Sequence, residues 1–360
     1  MKKNLTALTG IRFLAAFYVF LYHVDMRIPF SFLHPRLGAI IKQGATGVNV
    51  FFILSGFILT YAHYRKPIVY GEFILKRLFR IYPAYLAGFA LCLLVFVPGG
   101  KVFTLDLAML ESYFPLHSHE WYGGGAWSIS TEFFFYFLFP LLLPFFVNRS
   151  LRSLLYWLIG LTVLAALPGT LQNVYHFNVQ LSYSFPPARL AEFVAGIAGG
   201  LLVFKYGLRV KAWAAIAGMA LLCVYFAGAG YRFGGWTVHN FLLVPITLAV
   251  LAACVDPGRG LRWIGSRWME YLGHVSYGFY IVQIPIMLAL EEGIAKGLVN
   301  RENLALVPVI LGLNLLLSIA LYEAVEKPVH RYFHKTKRAA QEGTPIPTDK
   351  ENTWQPIANS

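Results

Sequence analysis

The sequence predicts an all-α integral membrane protein of about ten transmembrane helices, with both termini cytoplasmic. Three observations carry that expectation. Of 360 residues, 58% are hydrophobic and only 13% charged, against roughly a quarter charged in soluble globular domains. Apolar runs of about 20 residues, the length that crosses a bilayer as a helix, recur along the whole chain. The segments between them alternate between rich and poor in Lys and Arg, as the positive-inside rule requires.

In chain order, spans are expected near 5–24, 45–64, 83–98, 127–147, 153–168, 188–204, 212–228, 239–255, 271–290 and 304–323. With the N-terminus inside, the inner segments hold 21 Lys and Arg and the outer loops seven, while Arg12 and Arg189 fall inside spans. The same bias accounts for the net charge of +13 without any nucleic-acid partner. Cys92, Cys223 and Cys254 each sit in an apolar run and form no C-x-x-C pair, so they imply neither a metal motif nor an oxidising compartment. The start MKKNLTAL resembles the basic end of a signal peptide. The run after it is long, carries Arg12 and His23 and lacks a small-x-small cleavage site, which reads as a retained first helix. Residues 1–335 form one expected membrane domain, and the polar, turn-rich 336–360 an expected disordered cytoplasmic tail.

A charge deep in a bilayer costs at least a few kcal/mol, so ionisable residues inside spans are functional candidates by default. Here they are Arg12, His23, Glu132, Arg189, Glu192 and Glu323. Arg12 and His23 are eleven residues apart, which sets them about 20° apart around a helix and about 16 Å apart along it. They share a face, with Arg12 toward the cytoplasm and His23 toward the outside. Taken singly, Arg12 also fits a snorkelling anchor and His23 an interfacial histidine. Glu132 opens the fourth span at a similar expected depth to His23. A Glu–His pair would fix the imidazole tautomer and strengthen its free nitrogen as a base. A pairing of Glu132 with Arg189 is the competing arrangement, and Arg189 with Glu192 at i, i+3 is another. On the inner side, FILKRLFRIYPAY sets Lys76, Arg77 and Arg80 within about a turn, ended by Tyr82 and Pro83. The cluster suits phosphate geometrically, although it also fits ordinary positive-inside charge.

Six segments, in order, then resemble the membrane-bound acyltransferase type 3 family. They are LTGIRFLAAFYVFLYH, GVNVFFILSGFILT with Ser55, Gly56 and Phe57, KRLFRIYPAY, WSISTEFFFYFLFP with Trp127, Ser128 and Glu132, HVSYGFYIVQIPI, and YEAVEKPVHRYF. The resemblance spans about residues 5–335. It implies transfer of an acyl group, usually acetyl from cytoplasmic acetyl-CoA, to a hydroxyl of an extracytoplasmic carbohydrate. It also implies a multi-pass protein of the bacterial inner membrane and no metal. On that reading Lys76, Arg77 and Arg80 bind the coenzyme phosphates and Arg12 steadies the donor within the bundle. His23 is the general base, with Glu132 orienting it. Trp127, Ser128 and Arg189 line the acceptor side. The expected partners are a surface glycan or lipid-linked oligosaccharide, exopolysaccharide first, together with membrane lipid and glycan-assembly machinery.

Two positions depart from the family pattern. Gln283 stands where the late motif usually has a histidine, and Asn49 where the second helix often has an acid. An appended extracytoplasmic esterase-like domain, which some members carry, is not expected here. Two other mechanisms fit the intramembrane charges. One is a secondary transporter of an anionic solute, although no inverted repeat is visible. The other is an acyl-enzyme on Ser128 or Ser130, although no G-x-S-x-G elbow exists.

Overall fold

The computed structural model describes residues 5–228, 236–329 and 331–332. Among them are thirteen α-helices: α1 (Thr6–Arg27), α2 (Pro35–Ile41), α3 (Gly47–His63), α4 (Tyr70–Leu93), α5 (Gly100–Leu107), α6 (Gly123–Val147), α7 (Leu151–Tyr175), α8 (Val179–Tyr183), α9 (Pro186–Phe204), α10 (Ala212–Gly228), α11 (Asn240–Cys254), α12 (Arg267–Ala295) and α13 (Leu306–Leu321). Eight helical stretches are long and apolar enough to cross a membrane. Two more helices fill out the bundle: α10 is shorter, at 17 residues, and α4 carries Glu72, Lys76, Arg77 and Arg80. These ten correspond in order to the ten expected spans, with several bounds shifted. The tail expected at 336–360 lies outside the described residues.

The third span is displaced from its expected position. It was expected at 83–98, but α4 begins at Tyr70 and takes Lys76, Arg77, Arg80 and Pro83 into the helix. Proline removes only one i→i−4 hydrogen bond, and the helix continues past Pro83 to Leu93, where Tyr85 and Phe89 are buried against its neighbours. Pro168 is likewise inside α7, which runs on to Tyr175 instead of stopping near 168. Helix ends are signalled locally: Ser150 Oγ caps α7 by accepting from Ser153 N, and Ser266 Oγ caps α12 by accepting from Met269 N.

In lipid, helices associate through close packing rather than hydrophobic transfer, so small residues gather where backbones meet. One such close meeting joins α3 and α9. A side chain at Gly56 would strike the Phe193 carbonyl at 2.1 Å, and one at Gly196 the Ile53 carbonyl at 2.1 Å. α1 lies along α12.

A buried polar network ties α3, α9, α11 and α7 together. Arg189 donates to Glu192 (Nη2–Oε2, 2.9 Å), to Asn49 Oδ1 (2.8 Å) and to the Tyr183 carbonyl. Asn49 donates to Asn240 Oδ1 at 2.8 Å, and Asn240 donates to Glu192 and to the Ala165 carbonyl. The Arg189 guanidinium lies over the rings of Phe52, Trp127 and Tyr183. Its donors are aimed at protein groups on three helices.

Candidate active site

The polar residues left over collect at two levels along α1. At the inner level, Arg12 on α1 shares an electrostatic neighbourhood with Arg77 and Arg80 on α4 and with Glu132 and Tyr136 on α6. Glu132 Oε1 accepts from Tyr136 Oη at 2.6 Å and from Ser55 Oγ of α3 at 2.8 Å. Arg77 is half-buried, its guanidinium over the rings of Phe73 and Tyr136 at 5.3 and 5.6 Å. Arg80 is exposed along the same seam. Three guanidiniums around one hydrogen-bonded carboxylate leave an excess of positive charge, which suits a multiply charged anion.

A second carboxylate joins this level from the C-terminal end. After α13, Tyr322–Glu326 form a π-helical turn. The extra residue in that turn rotates the chain, so Glu323 points outward to Lys327 while Glu326 turns toward Gly278 of α12 and Arg80 of α4. The expectation that Glu323 is the intramembrane acid is therefore corrected to Glu326. π-Turns of this kind are frequent at functional sites.

At the outer level, His23 sits four residues from the end of α1, about 6 Å by helical rise. Its ring lies 5.5 Å from that of Tyr22. Arg27 donates to the His23 carbonyl at 3.1 Å and pairs with Glu291 of α12 at 2.7 Å. Tyr22 meets Trp236, Trp236 meets Tyr183, and Tyr183 meets Trp127, with centroids 5.9, 4.6 and 4.6 Å apart. These rings form a continuous aromatic wall beside Tyr22 and His23. Gln283 of α12 is fully buried near the imidazole, with its Oε1 left without a hydrogen-bond donor among the described residues.

Several expected assignments change. Glu132 is not the partner of His23, because its hydrogen bonds go to Ser55 and Tyr136. The cause is the start of α6 at Gly123 rather than 127. The extra turn carries Glu132 nine residues, about 14 Å, below the outer end of the helix. Arg189 does not line an acceptor site, since it is 0% exposed and bound by Glu192, Asn49 and Tyr183. Lys76 pairs with Glu72 one turn earlier, with both side chains about half exposed. Arg77 and Arg80, unlike Lys76, join Arg12. Ser128 Oγ donates to Tyr280 Oη at 2.8 Å, Ser130 Oγ donates to the Met109 carbonyl at 2.6 Å, and both serines are buried. Trp127 is 4% exposed and backs the aromatic wall rather than opening onto solvent. Sequence reasoning missed Tyr136, Glu326 and the burial of Gln283 near His23. For Tyr136 the i, i+4 spacing from Glu132 was an available signal.

The fold and this two-level seam define a multi-pass membrane protein with a polar path through its helices. Residues 5–323 match the family model described as an acyltransferase domain, and the chain belongs to that family, the type 3 membrane-bound acyltransferases. It is similar to the acyltransferase MdmB of Streptomyces mycarofaciens, 27% identical over 94% of this chain and 94% of MdmB. It is also similar to the exopolysaccharide production protein ExoZ of Rhizobium meliloti, 28% identical over 80% of this chain and 90% of ExoZ. The putative peptidoglycan O-acetyltransferase YrhL of Bacillus subtilis is 26% identical over 79% of this chain, which matches 49% of YrhL. No solved structure matches the chain significantly.

Proposed function

We propose that this acyltransferase moves an acyl group, acetyl first, from cytoplasmic acyl-CoA to a hydroxyl of an extracytoplasmic carbohydrate, with His23 as general base. One observation carries the reading: a single helix, α1, holds Arg12 in the guanidinium cluster and His23 beside the aromatic wall. Coenzyme A bears a diphosphate and a 3′-phosphate, and Arg77 and Arg80 are the side chains suited to hold them. Arg12 steadies the donor further in, and the thioester reaches outward. A neutral His23 nitrogen takes the acceptor's hydroxyl proton as that oxygen attacks the thioester carbonyl. The C–S bond breaks, the acyl group stays on the acceptor oxygen, and the thiolate leaves toward the inner side, where it is protonated.

The acceptor class is supported by the names of relatives, which point to exopolysaccharide production and peptidoglycan O-acetylation. A surface glycan or its lipid-linked precursor is the acceptor class, with exopolysaccharide first, and the site of action is the bacterial inner membrane with both termini cytoplasmic. Membership of an acyltransferase family supports enzyme over transporter. The engagement of the Ser128 and Ser130 hydroxyls supports direct transfer over an acyl-enzyme.

The test is acetyl transfer from labelled acetyl-CoA by the purified protein in nanodiscs, with glycan extracts as acceptor. His23→Ala at normal protein level should abolish labelling of the acceptor. Retained labelling would remove His23 from the chemistry, and acceptor labelling from no acyl-CoA would remove the donor.

A further inference from the structure

Glu132 is committed elsewhere, so the imidazole of His23 needs another group to fix its tautomer. We infer that Gln283 is the positioning residue for His23, its amide oxygen receiving one ring N–H so that the opposite nitrogen is presented to the acceptor. This rests on His23 acting as the base.

The geometry makes the orientation of the amide unambiguous. Gln283 is 0% exposed, and its Nε2 donates to the Tyr280 carbonyl at 3.0 Å. With the NH2 group held at that carbonyl, Oε1 is the free end of the amide; it is buried without a hydrogen-bond donor among the described residues, and His23 is the side chain whose electrostatics couple to Gln283. Buried carbonyl oxygens are rarely left without a donor, and the His23 ring N–H is the one at hand. Tyr280 is itself fixed, because its hydroxyl donates to the Gly125 carbonyl at 2.9 Å and accepts from Ser128 at 2.8 Å. The chain Ser128–Tyr280–Gln283–His23 therefore links the start of α6 through α12 to the outer end of α1. It also gives Ser128 a role, holding Tyr280, other than contact with substrate.

An amide differs from a carboxylate in one respect that matters. It fixes the tautomer without supplying negative charge to the imidazolium that forms when the base takes a proton. The charged groups near the ring are Arg27 of its own helix and Glu291 of α12, which is paired to Arg27, with Tyr22 as the ring neighbour. Substituting a carboxylate at 283 would place a charge directly on the ring N–H and raise its basicity.

The experiment compares Gln283→Leu, Gln283→Glu and His23→Ala in nanodiscs, with thermal unfolding of each as a control. Gln283→Leu should lower kcat about 10- to 100-fold, the usual effect of losing a group that orients a histidine, with the KM for acetyl-CoA unchanged. Gln283→Glu should move the acidic limb of the pH profile of kcat/KM upward by about one unit or more. If Gln283→Leu does not fold, the pH limb of Gln283→Glu decides. A wild-type kcat in Gln283→Leu, or an unmoved limb in Gln283→Glu, overturns the inference. Activity surviving in His23→Ala overturns instead the general-base reading beneath it.

Discussion

Ser55 on α3 donates a 2.8 Å hydrogen bond to Glu132 on α6, and with Tyr136 it seats that carboxylate among the guanidiniums of Arg12 and Arg77. Glu132 thereby organises the inner half of the site. Glu132→Ala should lower kcat/KM for the acyl donor about 100-fold, since Arg12 and Arg77 lose their common counter-charge and two hydroxyls lose their acceptor. Glu132→Gln keeps an oxygen for both hydroxyls and should fall in between. The discriminating measurement is the pH profile: in Glu132→Gln the acidic limb should stay where it is in the parent protein. A limb displaced downward would mean that Glu132 sits on His23 after all.

Arg80 of α4 and Glu326 of the π-turn are electrostatic neighbours at the inner level. Arg80→Ala should raise the KM for acetyl-CoA about tenfold, or about 1.4 kcal/mol, with a smaller effect on kcat. Lys76→Ala should change KM little, because Lys76 is paired with Glu72 and half exposed. Steady-state kinetics with the donor varied checks both. Equal effects of the two substitutions would restore Lys76 to the phosphate cluster.

Much of this architecture can be read from composition and pattern, because a bilayer permits so few solutions. With no water to satisfy backbone groups, apolar runs must be helices, and the ten spans follow. Arg12 and His23 on one face follow from helical period alone. What the pattern does not convey is phase and depth. One added turn at Gly123 sinks Glu132 below the level of His23, where Ser55 and Tyr136 take its carboxylate. One π-turn exchanges Glu323 for Glu326. Whether Arg189 meets a substrate or Glu192, Asn49 and Tyr183 depends on contacts between helices far apart in sequence, which a single sequence does not reveal. Gln283 illustrates the same limit: its polarity is visible, but its proximity to the ring comes only from the packing of α1 on α12.

Arg189 should behave as a structural residue. Removing one partner of a fully buried ion pair costs about 3–5 kcal/mol, and here both side chains are at most 1% exposed. Arg189→Met should therefore lower the unfolding temperature markedly, while the protein that remains folded keeps parental KM values for donor and acceptor. Arg189→Lys should not restore stability, because an ammonium cannot reproduce the fork that reaches Glu192, Asn49 and Tyr183 together. A normal unfolding temperature with a raised acceptor KM would return Arg189 to the acceptor site.

The connection between α4 and α6 should make stability depend on pH, and the sign follows from Asp106. Its side chain is 1% exposed. Burial is the main cause that pushes its carboxyl from 3.8 up to about 7, and Glu120 adds to the shift while the Gly123 N–H, donating to Oδ2 at 3.2 Å, opposes it. Glu111, fully buried beside it and near the Tyr85 hydroxyl, is raised well above the ordinary carboxyl value by burial first and Asp106 second. A carboxyl whose folded value exceeds its unfolded one stabilises the fold when protonated. That contribution is complete below about 4, declines above it, and is gone once the pH has risen through about 7. The unfolding temperature of the parent protein should accordingly fall by several degrees between pH 5.5 and 8. In Asp106→Asn the slope over that interval should flatten, because an amide has no proton to lose. Differential scanning fluorimetry across the range measures both, and a parent protein that grows more stable from pH 5.5 to 8 would show that Asp106 is ionised in the fold.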